Sequence, residues 1–346
     1  MTMETRHPPP RDALGHTADL AHRATFPLLG VPVEVRSNSA SVLAAAECAF
    51  GGWRDLAPAL MAQVPPAIVS VVVQPVEPAL TAYGPRPFVH RAHDGCFVAS
   101  DGANLLTARY DEGRALAFIA PELLLREAQL RHNVLQLLAL LLATRHDRVP
   151  LHAGAVVVDG LAILLAGRST AGKSTLCYAA VRDGFELLAE DVVYISRAPG
   201  LRLWGLPERI HLLPDAVRFF PELIGVEPEI QANGKLKIGI ETASIGAGRA
   251  VRHAERVVVC IIKRHAGAVT RVEAVDPKWA AAVLSEDREP GFDLYEGTRA
   301  AAEAVAAGGA YRLTVGHDLG QAIAALRGIA GHARSGSVRE PASLSD

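Results

Sequence analysis

The pattern of hydrophobic and polar positions predicts a small α+β domain in the first third of the chain. Residues 26–36 alternate loosely between apolar and polar side chains, as a half-buried strand does, and the Ala-rich residues 41–50 predict a helix. The β-branched run at 68–74 (IVSVVVQ) predicts a central strand. Shorter strand-like runs, separated by Gly, Asp and Pro, follow at 88–90, 95–99 and 115–119. Together these elements place the domain at residues 23–120.

A long helix is predicted to connect this domain to a second one. Pro121 opens a helical pattern that continues to about Arg145, with leucines three and four positions apart. Residues 121–150 therefore form the predicted linking segment. Its most hydrophobic stretch, 134–143, is too short to span a bilayer and fits a buried helix.

Residues 151–330 are predicted to form an α/β domain. Two apolar runs, 155–158 and 161–166, flank Asp159-Gly160, a dipeptide suited to a two-residue type I′ turn, so they predict an antiparallel hairpin. A helix is predicted from Lys173 to about Asp183, ended by Gly184. Two helices and further strands complete the domain; the strands are predicted at 185–189, 192–196, 236–240, 256–263 and 269–274.

Composition narrows the class of protein. Half of the 346 residues are hydrophobic and 21% are charged, so the chain can bury a core, and a net charge of −2 argues against a nucleic-acid or anionic-membrane surface. Four cysteines lie far apart with no CxxC pair, which indicates a reduced intracellular protein without a disulfide framework or zinc site.

Both ends of the chain are predicted to be tails. Residues 1–22 lack the apolar run of a signal peptide and are predicted to be disordered, and the Ser-rich residues 331–346 are predicted to be flexible. We expect a cytoplasmic protein.

One motif carries a specific chemistry. The octapeptide at 167–174 fits GxxxxGK[ST] between a predicted strand and a predicted helix, which is the context of a phosphate-binding P-loop. Glycines let backbone N–H groups point at phosphate oxygens, the lysine reaches the β- and γ-phosphates, and the serine hydroxyl can ligate Mg²⁺. The candidate nucleotide-binding residues are Gly167, Arg168, Ser169, Thr170, Ala171, Gly172, Lys173, Ser174 and Thr175.

An acidic pair follows at the end of the next predicted strand. Glu190 and Asp191 lie at the carboxyl edge, where ligands of open α/β sheets gather. Neighbouring residues of a regular strand point to opposite faces, so we predict that Asp191 faces the phosphates and that Glu190 assists. With Ser174, the pair forms the candidate metal site. The alternative is a solvated acidic turn.

Three basic residues complete the candidate site. His152 precedes the hairpin that leads into the loop; a lone histidine is more often a core or surface residue than a catalytic one. Lys235 and Lys237 alternate along a short strand and face the same side. Phosphate contacts and a solvated strand face explain these two lysines equally well.

Residues 151–196 resemble the catalytic core of HPr kinase/phosphorylase and its HPr-kinase-like relatives. The resemblance lies in His152, the Asp159-Gly160 hairpin, the loop at 167–174, and Asp183-Gly184-Phe185 leading to Glu190-Asp191. It implies a phosphoenolpyruvate-carboxykinase-like nucleotide fold and phosphoryl transfer from ATP to a serine hydroxyl. Beyond residue 196 the similarity is architectural only.

The resemblance also implies roles for single residues. Lys173 corresponds to the phosphate lysine, Ser174 to the Mg²⁺ ligand, and Asp191 to the aspartate that accepts the serine proton. His152 corresponds to the histidine beside the phosphates. The three catalytic candidates are therefore Asp191, Lys173 and His152, with ATP and Mg²⁺ as the implied cofactors.

The chain departs from the family pattern in three places. Glu190 stands where the family has an aspartate, and Arg202 (in LRLWGL) where it has a metal-binding glutamate, for which Glu208 would substitute only after rearrangement. Residues 231–241 (QANGKLKIGIE) replace the P-G-R-N loop of phosphorolysis. We therefore expect kinase activity without efficient phosphorolysis.

The sequence leaves the phosphate acceptor open. A serine of a protein or peptide is the expected acceptor, and HPr itself is not assured. A small-molecule kinase on the same fold, or a nucleotide-dependent regulatory module without transfer, are the alternatives. A homo-oligomer is compatible with the sequence, and residues 23–120 are a candidate for substrate recognition.

Overall fold

The structure is a computed structural model, and it divides the chain into two compact units, residues 1–146 and 147–346. The second unit begins shortly before the predicted domain start at residue 151. The residues that the structure describes are 18–74, 89–93, 96–101, 103–168, 170–231, 235–264, 267, 269–286 and 297–335; for 89–93 and 334–335 it describes the backbone alone.

The described part of the first unit is a mixed sheet with helices. Its strands are β1 (His22–Leu28), β2 (Val31–Ser37), β3 (Ala67–Val73), β4 (Val89–His93), β5 (Cys96–Ser100), β6 (Leu105–Arg109) and β7 (Arg114–Ile119). The order in the sheet is β1-β2-β3-β7-β6-β5-β4. Because β3 has a parallel partner on each side, the prediction of a central strand at 68–74 is confirmed.

The helices of this unit depart from the prediction in detail. They are α1 (Ala40–Phe50), α2 (Glu127–Gln129) and α3 (Leu137–Ala143), with a π-helical stretch at Leu130–Gln136 between the last two. A 3₁₀ segment, Pro121–Leu125, precedes them, so the single helix predicted from Pro121 to Arg145 is wrong. The leucine spacing identified the buried face, because Leu130, Val134 and Leu138 are all buried, but it did not reveal the changes of helix type.

The strand predicted at 26–36 is in fact an antiparallel hairpin. Strands β1 and β2 pair from His22↔Ser37 to Leu28↔Val31, and Leu29 (φ 52°) and Gly30 (φ 74°) form the turn. Leu29 is fully buried, so the turn carries no polar residue to signal it. Strand β6 was not predicted either.

The second unit contains the remaining elements. Its strands are β8 (Val149–His152), β9 (Gly154–Val158), β10 (Leu161–Ala166), β11 (Glu186–Ala189), β12 (Val192–Ser196), β13 (Arg202–Trp204), β14 (Arg209–Leu212), β15 (Glu229–Ile230), β16 (Leu236–Glu241), β17 (His253–Ala254), β18 (Arg256–Arg264), β19 (Arg271–Ala274) and β20 (Ala310–Val315). Its helices are α4 (Lys173–Arg182), α5 (Thr242–Ile245), α6 (Pro277–Glu286), α7 (Thr298–Ala306) and α8 (Leu319–Ser335).

These strands form three sheets within the described residues. A six-stranded mixed sheet has the order β11-β9-β10-β18-β20-β19. Its strands β10, β18 and β20 are parallel to one another, and its other pairings are antiparallel. A four-stranded sheet has the order β17-β13-β12-β8, and a three-stranded one β14-β16-β15. The α/β class predicted for this part of the chain is confirmed as a mixed arrangement of helices and several sheets.

Both faces of the six-stranded sheet are buried, which explains why β10 is apolar throughout. Ile163 and Leu165 pack on one side, in a cluster with α4, α8, β14 and β16. Ala162 and Leu164 pack on the other, with α6, α7 and the four-stranded sheet. A strand covered on both faces has no position for a polar side chain.

The hairpin that leads to the phosphate-binding motif has the predicted geometry. Strands β9 and β10 pair from Val158↔Leu161 onward, and Asp159 (φ 51°) and Gly160 (φ 73°) are both left-handed, as a type I′ turn requires.

The helices after residue 201 are more numerous than predicted. Two were predicted, whereas the structure has four in its described residues: α5, α6, α7 and α8. Helix α8 also extends to Ser335, into the predicted flexible tail, whereas residues 1–17 and 336–346 lie outside the described residues.

Two chain segments pass from the four-stranded to the six-stranded sheet side by side. One continues from β8 through Ala153 into β9, and the other bends between β11 and β12 at Glu190-Asp191. They pair with each other in both sheets, through Val192↔His152 in one and Ala189↔Ala155 in the other. The predicted acidic pair and His152 therefore lie together at this double crossing.

Among the described residues, no helix is both long enough and apolar enough to cross a bilayer.

A glycine next to this crossing is expected to be essential for stability. The register of β11 shifts at Leu188, and a Cβ at Gly205 would collide with the Leu188 carbonyl oxygen. Gly205→Ala should therefore lower the free energy of unfolding by about 3 kcal/mol, as overpacking against backbone does. Urea denaturation followed by circular dichroism measures this value.

The matched control is Gly160→Ala in the type I′ turn. No atom lies within 4 Å of a Cβ at that position, so the cost is only the left-handed backbone, about 1 kcal/mol. Equal losses for the two variants would contradict the close approach of Gly205 to β11.

Candidate functional site

The loop between β10 and α4 requires glycine at both of its ends. Gly167 has φ 150°, and a Cβ there would lie 2.8 Å from the carbonyl oxygen of Ile262. Gly172 has φ 98° and precedes the first residue of α4; a Cβ there would lie 3.3 Å from the Arg264 guanidinium. These contacts explain the two glycines of the motif, since any side chain would displace a neighbouring strand or the arginine.

The other loop positions complete a compact turn ahead of α4. The N–H of Ala171 donates to the carbonyl of Arg168 at 3.0 Å, and Thr170 is left-handed with φ 71°. Arg168 and Thr170 are exposed, and Thr175 is half-buried in the first turn of α4. Ser169, also predicted as a nucleotide contact, lies outside the described residues.

Lys173 lies inside the loop. Its side chain is buried, with an exposed fraction of 7%, and its ammonium nitrogen Nζ donates a hydrogen bond to the carbonyl oxygen of Gly167 at 2.7 Å. A neutral carbonyl satisfies one of the three N–H donors but does not neutralise the charge. The loop therefore holds a buried positive charge at the N-terminus of a helix, where the backbone also favours an anion.

Ser174 contacts the first member of the acidic pair. Its hydroxyl donates a hydrogen bond to Oε1 of Glu190, whose side chain is nearly fully buried. The other carboxylate oxygen, Oε2, lies 3.5 Å from Nδ1 of His211 on β14. Each oxygen of Glu190 thus faces a different polar group.

Asp191 contacts a different histidine. Its Oδ1 lies 3.5 Å from Nδ1 of His152, the last residue of β8; the aspartate side chain is half exposed, and the histidine is buried. Glu190 contacts the serine of the loop, and Asp191 lies beside His152; that Asp191 faces the phosphates and Glu190 assists stays a prediction. The alternation rule assumed a regular strand, whereas residues 190 and 191 form a bend between β11 and β12.

The surroundings of Glu190 favour its ionised form. Burial alone would raise the pKa of the Glu190 carboxyl, but the nearby His211, the hydrogen bond from Ser174 and the positive charge of Lys237 outweigh it. The pKa of Glu190 is therefore lowered from its ordinary value.

The surroundings of Asp191 act in the opposite direction. Partial burial raises the pKa of Asp191, and the negative charge of Glu190 adds to the rise. The nearby positive groups, His152, Lys237 and Lys173, oppose this increase without cancelling it. Asp191 is therefore the more basic of the two carboxylates, which is the property that a proton acceptor requires.

The two candidate lysines of the short strand have different positions. Lys237 is half-buried on β16, and its charge acts on both carboxylates. Lys235 is exposed just before β16 begins. The structure therefore brings Lys237 to the candidate site, whereas the phosphate contact predicted for Lys235 stays a prediction.

Sequence reasoning missed two residues. His211 faces Glu190, and Arg264, the last residue of β18, lies against Gly172. The alternation of polar and apolar residues in Arg209–Leu212 (RIHL) could have indicated His211, since it matches the pattern of the lysine strand. No comparable local pattern marks Arg264, because its position depends on the pairing of β18 with β10.

Arg202 and Glu208, the two residues considered above in place of a metal-binding glutamate, are engaged elsewhere. Arg202 donates to Glu255 through Nη2 at 2.5 Å, and its guanidinium lies 5.5 Å from the centre of the Trp204 ring. Glu208 accepts from Nη2 of Arg252 at 3.0 Å. Neither residue takes part in the Ser174–Glu190 contact.

The donor set fits Mg²⁺. Among the described residues, no cluster of three or more His, Cys, Asp or Glu side chains could hold a metal on its own. Mg²⁺ prefers oxygen ligands, and proteins commonly hold it with one or two carboxylates while substrate phosphates and waters supply the rest. The hydroxyl of Ser174 and the carboxylate of Glu190, already in contact, match that requirement, with Asp191 adjacent.

Comparisons with known proteins give a limited result. No family model and no curated protein matches the sequence. Among solved structures, the fold is similar to that of the Hpr(Ser) kinase/phosphatase from Coxiella burnetii, with 14% identity and a TM-score of 0.31. The match covers 54% of this chain and 99% of that one.

The opposed pKa values of the two carboxylates are testable. Glu190→Gln is expected to lower the pKa of Asp191, because it removes the negative charge that helps to raise it. Lys237→Met is expected to raise the same pKa, since it removes an opposing positive charge. Carboxyl ¹³C NMR titration of the metal-free protein measures both shifts.

Glu255→Gln is the control, because Glu255 is exposed and paired with Arg202. It should leave the pKa of Asp191 unchanged. An unchanged Asp191 pKa in Glu190→Gln would mean that the two carboxylates do not share an electrostatic environment.

Proposed function

We propose that this chain is an ATP-dependent kinase that transfers the γ-phosphoryl group to a hydroxyl, and that the acceptor is a serine of a protein or peptide. The observation that carries the proposal is the buried ammonium of Lys173, held 2.7 Å from the Gly167 carbonyl inside a glycine loop whose next residue, Ser174, contacts Glu190. A nucleoside triphosphate is bound by three kinds of group that meet here at one helix N-terminus: a positive charge, loop N–H groups and a carboxylate.

The phosphates are proposed to bind at the loop and the first turn of α4. Lys173 would exchange its bond to a neutral carbonyl for contacts with β- and γ-phosphate oxygens, which compensate its charge. Gly167 and Gly172 allow the close approach of the backbone that these contacts need. Arg264, beside Gly172, adds positive charge at the same place.

Ser174 and Glu190 would hold Mg²⁺, with Asp191 next to them. When bound, the ion neutralises charge on the β- and γ-phosphates. The low pKa of Glu190 keeps its carboxylate ionised and ready to act as a ligand.

Asp191 is proposed to accept the proton of the acceptor hydroxyl. The hydroxyl oxygen attacks the γ-phosphorus as the bond from that phosphorus to the β–γ bridging oxygen breaks. ADP leaves with the electron pair of that bond, and the hydroxyl proton passes to a carboxylate oxygen of Asp191. His152, 3.5 Å from Asp191, orients the carboxylate, and Lys173 and Lys237 stabilise the charge on the transferred group.

Two variants separate binding from transfer. Lys173→Ala is expected to abolish the increase in melting temperature caused by MgATP, because it removes the buried charge that binds the phosphates. Asp191→Asn is expected to retain that increase but to lower turnover at least about 100-fold, as the loss of a general base does.

Lys278→Ala and Asp215→Asn, exposed positions on the same unit, are the controls and should behave like the wild type. Near-full phosphoryl transfer by Asp191→Asn would contradict the assignment of the base. The absence of any nucleotide-dependent melting shift in the wild type would contradict the proposed function as a whole.

The class of acceptor is tested by incubating the wild type and Lys173→Ala with γ-³²P-ATP and fractionated lysate. Label on a protein or peptide serine, absent with Lys173→Ala, supports the proposal. Label on a small molecule would replace it with a small-molecule kinase. Nucleotide binding without label in any fraction would favour a regulatory module.

A further inference from the structure

We infer that His211 is a positioning residue for Glu190, which it holds in the orientation that reaches Ser174, so that the serine and the glutamate together bind a divalent cation. This inference rests on the proposed function and deepens it. Nothing in the motif or in the resemblance assigns a role to this histidine.

The orientation of Glu190 depends on its two polar neighbours. Its side chain is 7% exposed, so water cannot replace them. Oε1 accepts a hydrogen bond from the hydroxyl of Ser174, and Oε2 lies 3.5 Å from Nδ1 of His211. Removing His211 would leave the buried oxygen Oε2 without this polar neighbour, which costs free energy. We expect the carboxylate to rotate so that this cost is reduced.

The three-stranded sheet fixes the position of His211. Ile210 and Leu212, its neighbours on β14, are buried in the core with α4, so the histidine must point to the opposite face. On β16, Gly239 pairs with His211, and Lys237, two residues earlier, lies on the same face. The sheet thus presents one histidine and one lysine toward the carboxylates.

A further basic residue of this face is already paired. Nε of Arg209 lies 2.8 Å from Glu241, and its Nη2 lies 3.4 Å from Glu229. A Cβ at Gly239 would lie 2.5 Å from Nη2 of Arg209, so the glycine makes room for the guanidinium. The charge of Arg209 is therefore compensated within the sheet, whereas Lys237 acts on Glu190.

The chemistry of imidazole favours positioning over direct ligation. Mg²⁺ selects oxygen ligands, whereas imidazole suits zinc, copper, iron and nickel. A carboxylate that ligates a metal is commonly held by a hydrogen-bond donor behind it, and loss of that donor typically lowers metal affinity by 10- to 100-fold. His211 has the place of such a donor.

The test measures metal affinity directly. Mn²⁺ binding to the full-length protein in the presence of ADP is followed by electron paramagnetic resonance, and ADP binding without metal by calorimetry. His211→Leu is expected to weaken Mn²⁺ about 10-fold while the metal-free ADP affinity stays unchanged. His211→Asn, whose amide nitrogen can replace Nδ1 as a donor, should restore most of the affinity.

His317→Leu, an exposed histidine of the same unit, is the matched control and should bind both ligands like the wild type. Unchanged Mn²⁺ affinity in His211→Leu overturns the inference while the proposed function stands. Equal losses of Mn²⁺ and metal-free ADP affinity also overturn it, since a purely structural role would affect both. A wild type that binds no nucleotide overturns the proposed function, and the inference with it.

A second measurement applies even if His211→Leu does not fold. In the wild type, the ¹⁵N resonance of His211 Nδ1 should have the shift of a protonated donor nitrogen, and Glu190→Gln should change that shift. No change on removal of the carboxylate charge would overturn the contact on which the inference depends.

Discussion

The second unit depends on one constraint at its centre: a lysine ammonium is buried in a loop whose own carbonyl is its hydrogen-bond partner. Burying a charge is costly unless something compensates it, and a neutral oxygen does so only in part. The loop around Lys173 therefore holds a positive charge that its hydrogen-bond partner does not neutralise. The glycines at 167 and 172, the apolar strand before the loop and the helix after it all serve to hold that charge in place.

The two carboxylates beside the loop have different roles because they have different neighbours. Glu190 is buried between a hydroxyl and an imidazole, and these stabilise its negative charge. Asp191 is half exposed and lies beside a second histidine, and its pKa is raised first by partial burial and then by the charge of Glu190. Two carboxylates at adjacent positions in the chain thus have pKa values shifted in opposite directions. The proposed function uses this difference, with Glu190 as the permanent anion and Asp191 as the proton acceptor.

The sequence predicts the features of this unit that are local. The type I′ turn, the glycine loop, the lysine and the start of α4 follow from short motifs whose geometry is set within a few residues. The contact between Ser174 and Glu190 does not follow from strand alternation, because the chain bends at residues 190 and 191. His211 and Arg264 reach the site through the pairing of distant strands, which no short motif records. In the first unit, the Leu29-Gly30 turn was missed because a buried leucine occupies a left-handed position that is ordinarily polar.

The paired crossing of two segments between the four-stranded and the six-stranded sheet has a mechanical consequence. His152 lies at one bend and Glu190-Asp191 at the other, so the spacing of these groups follows the angle between the sheets. Tilting one sheet against the other would change that spacing with every side chain at the site intact. Distant core substitutions, such as those between α7 and β8, would then change the spacing of these three side chains by deforming the scaffold, without touching any of them.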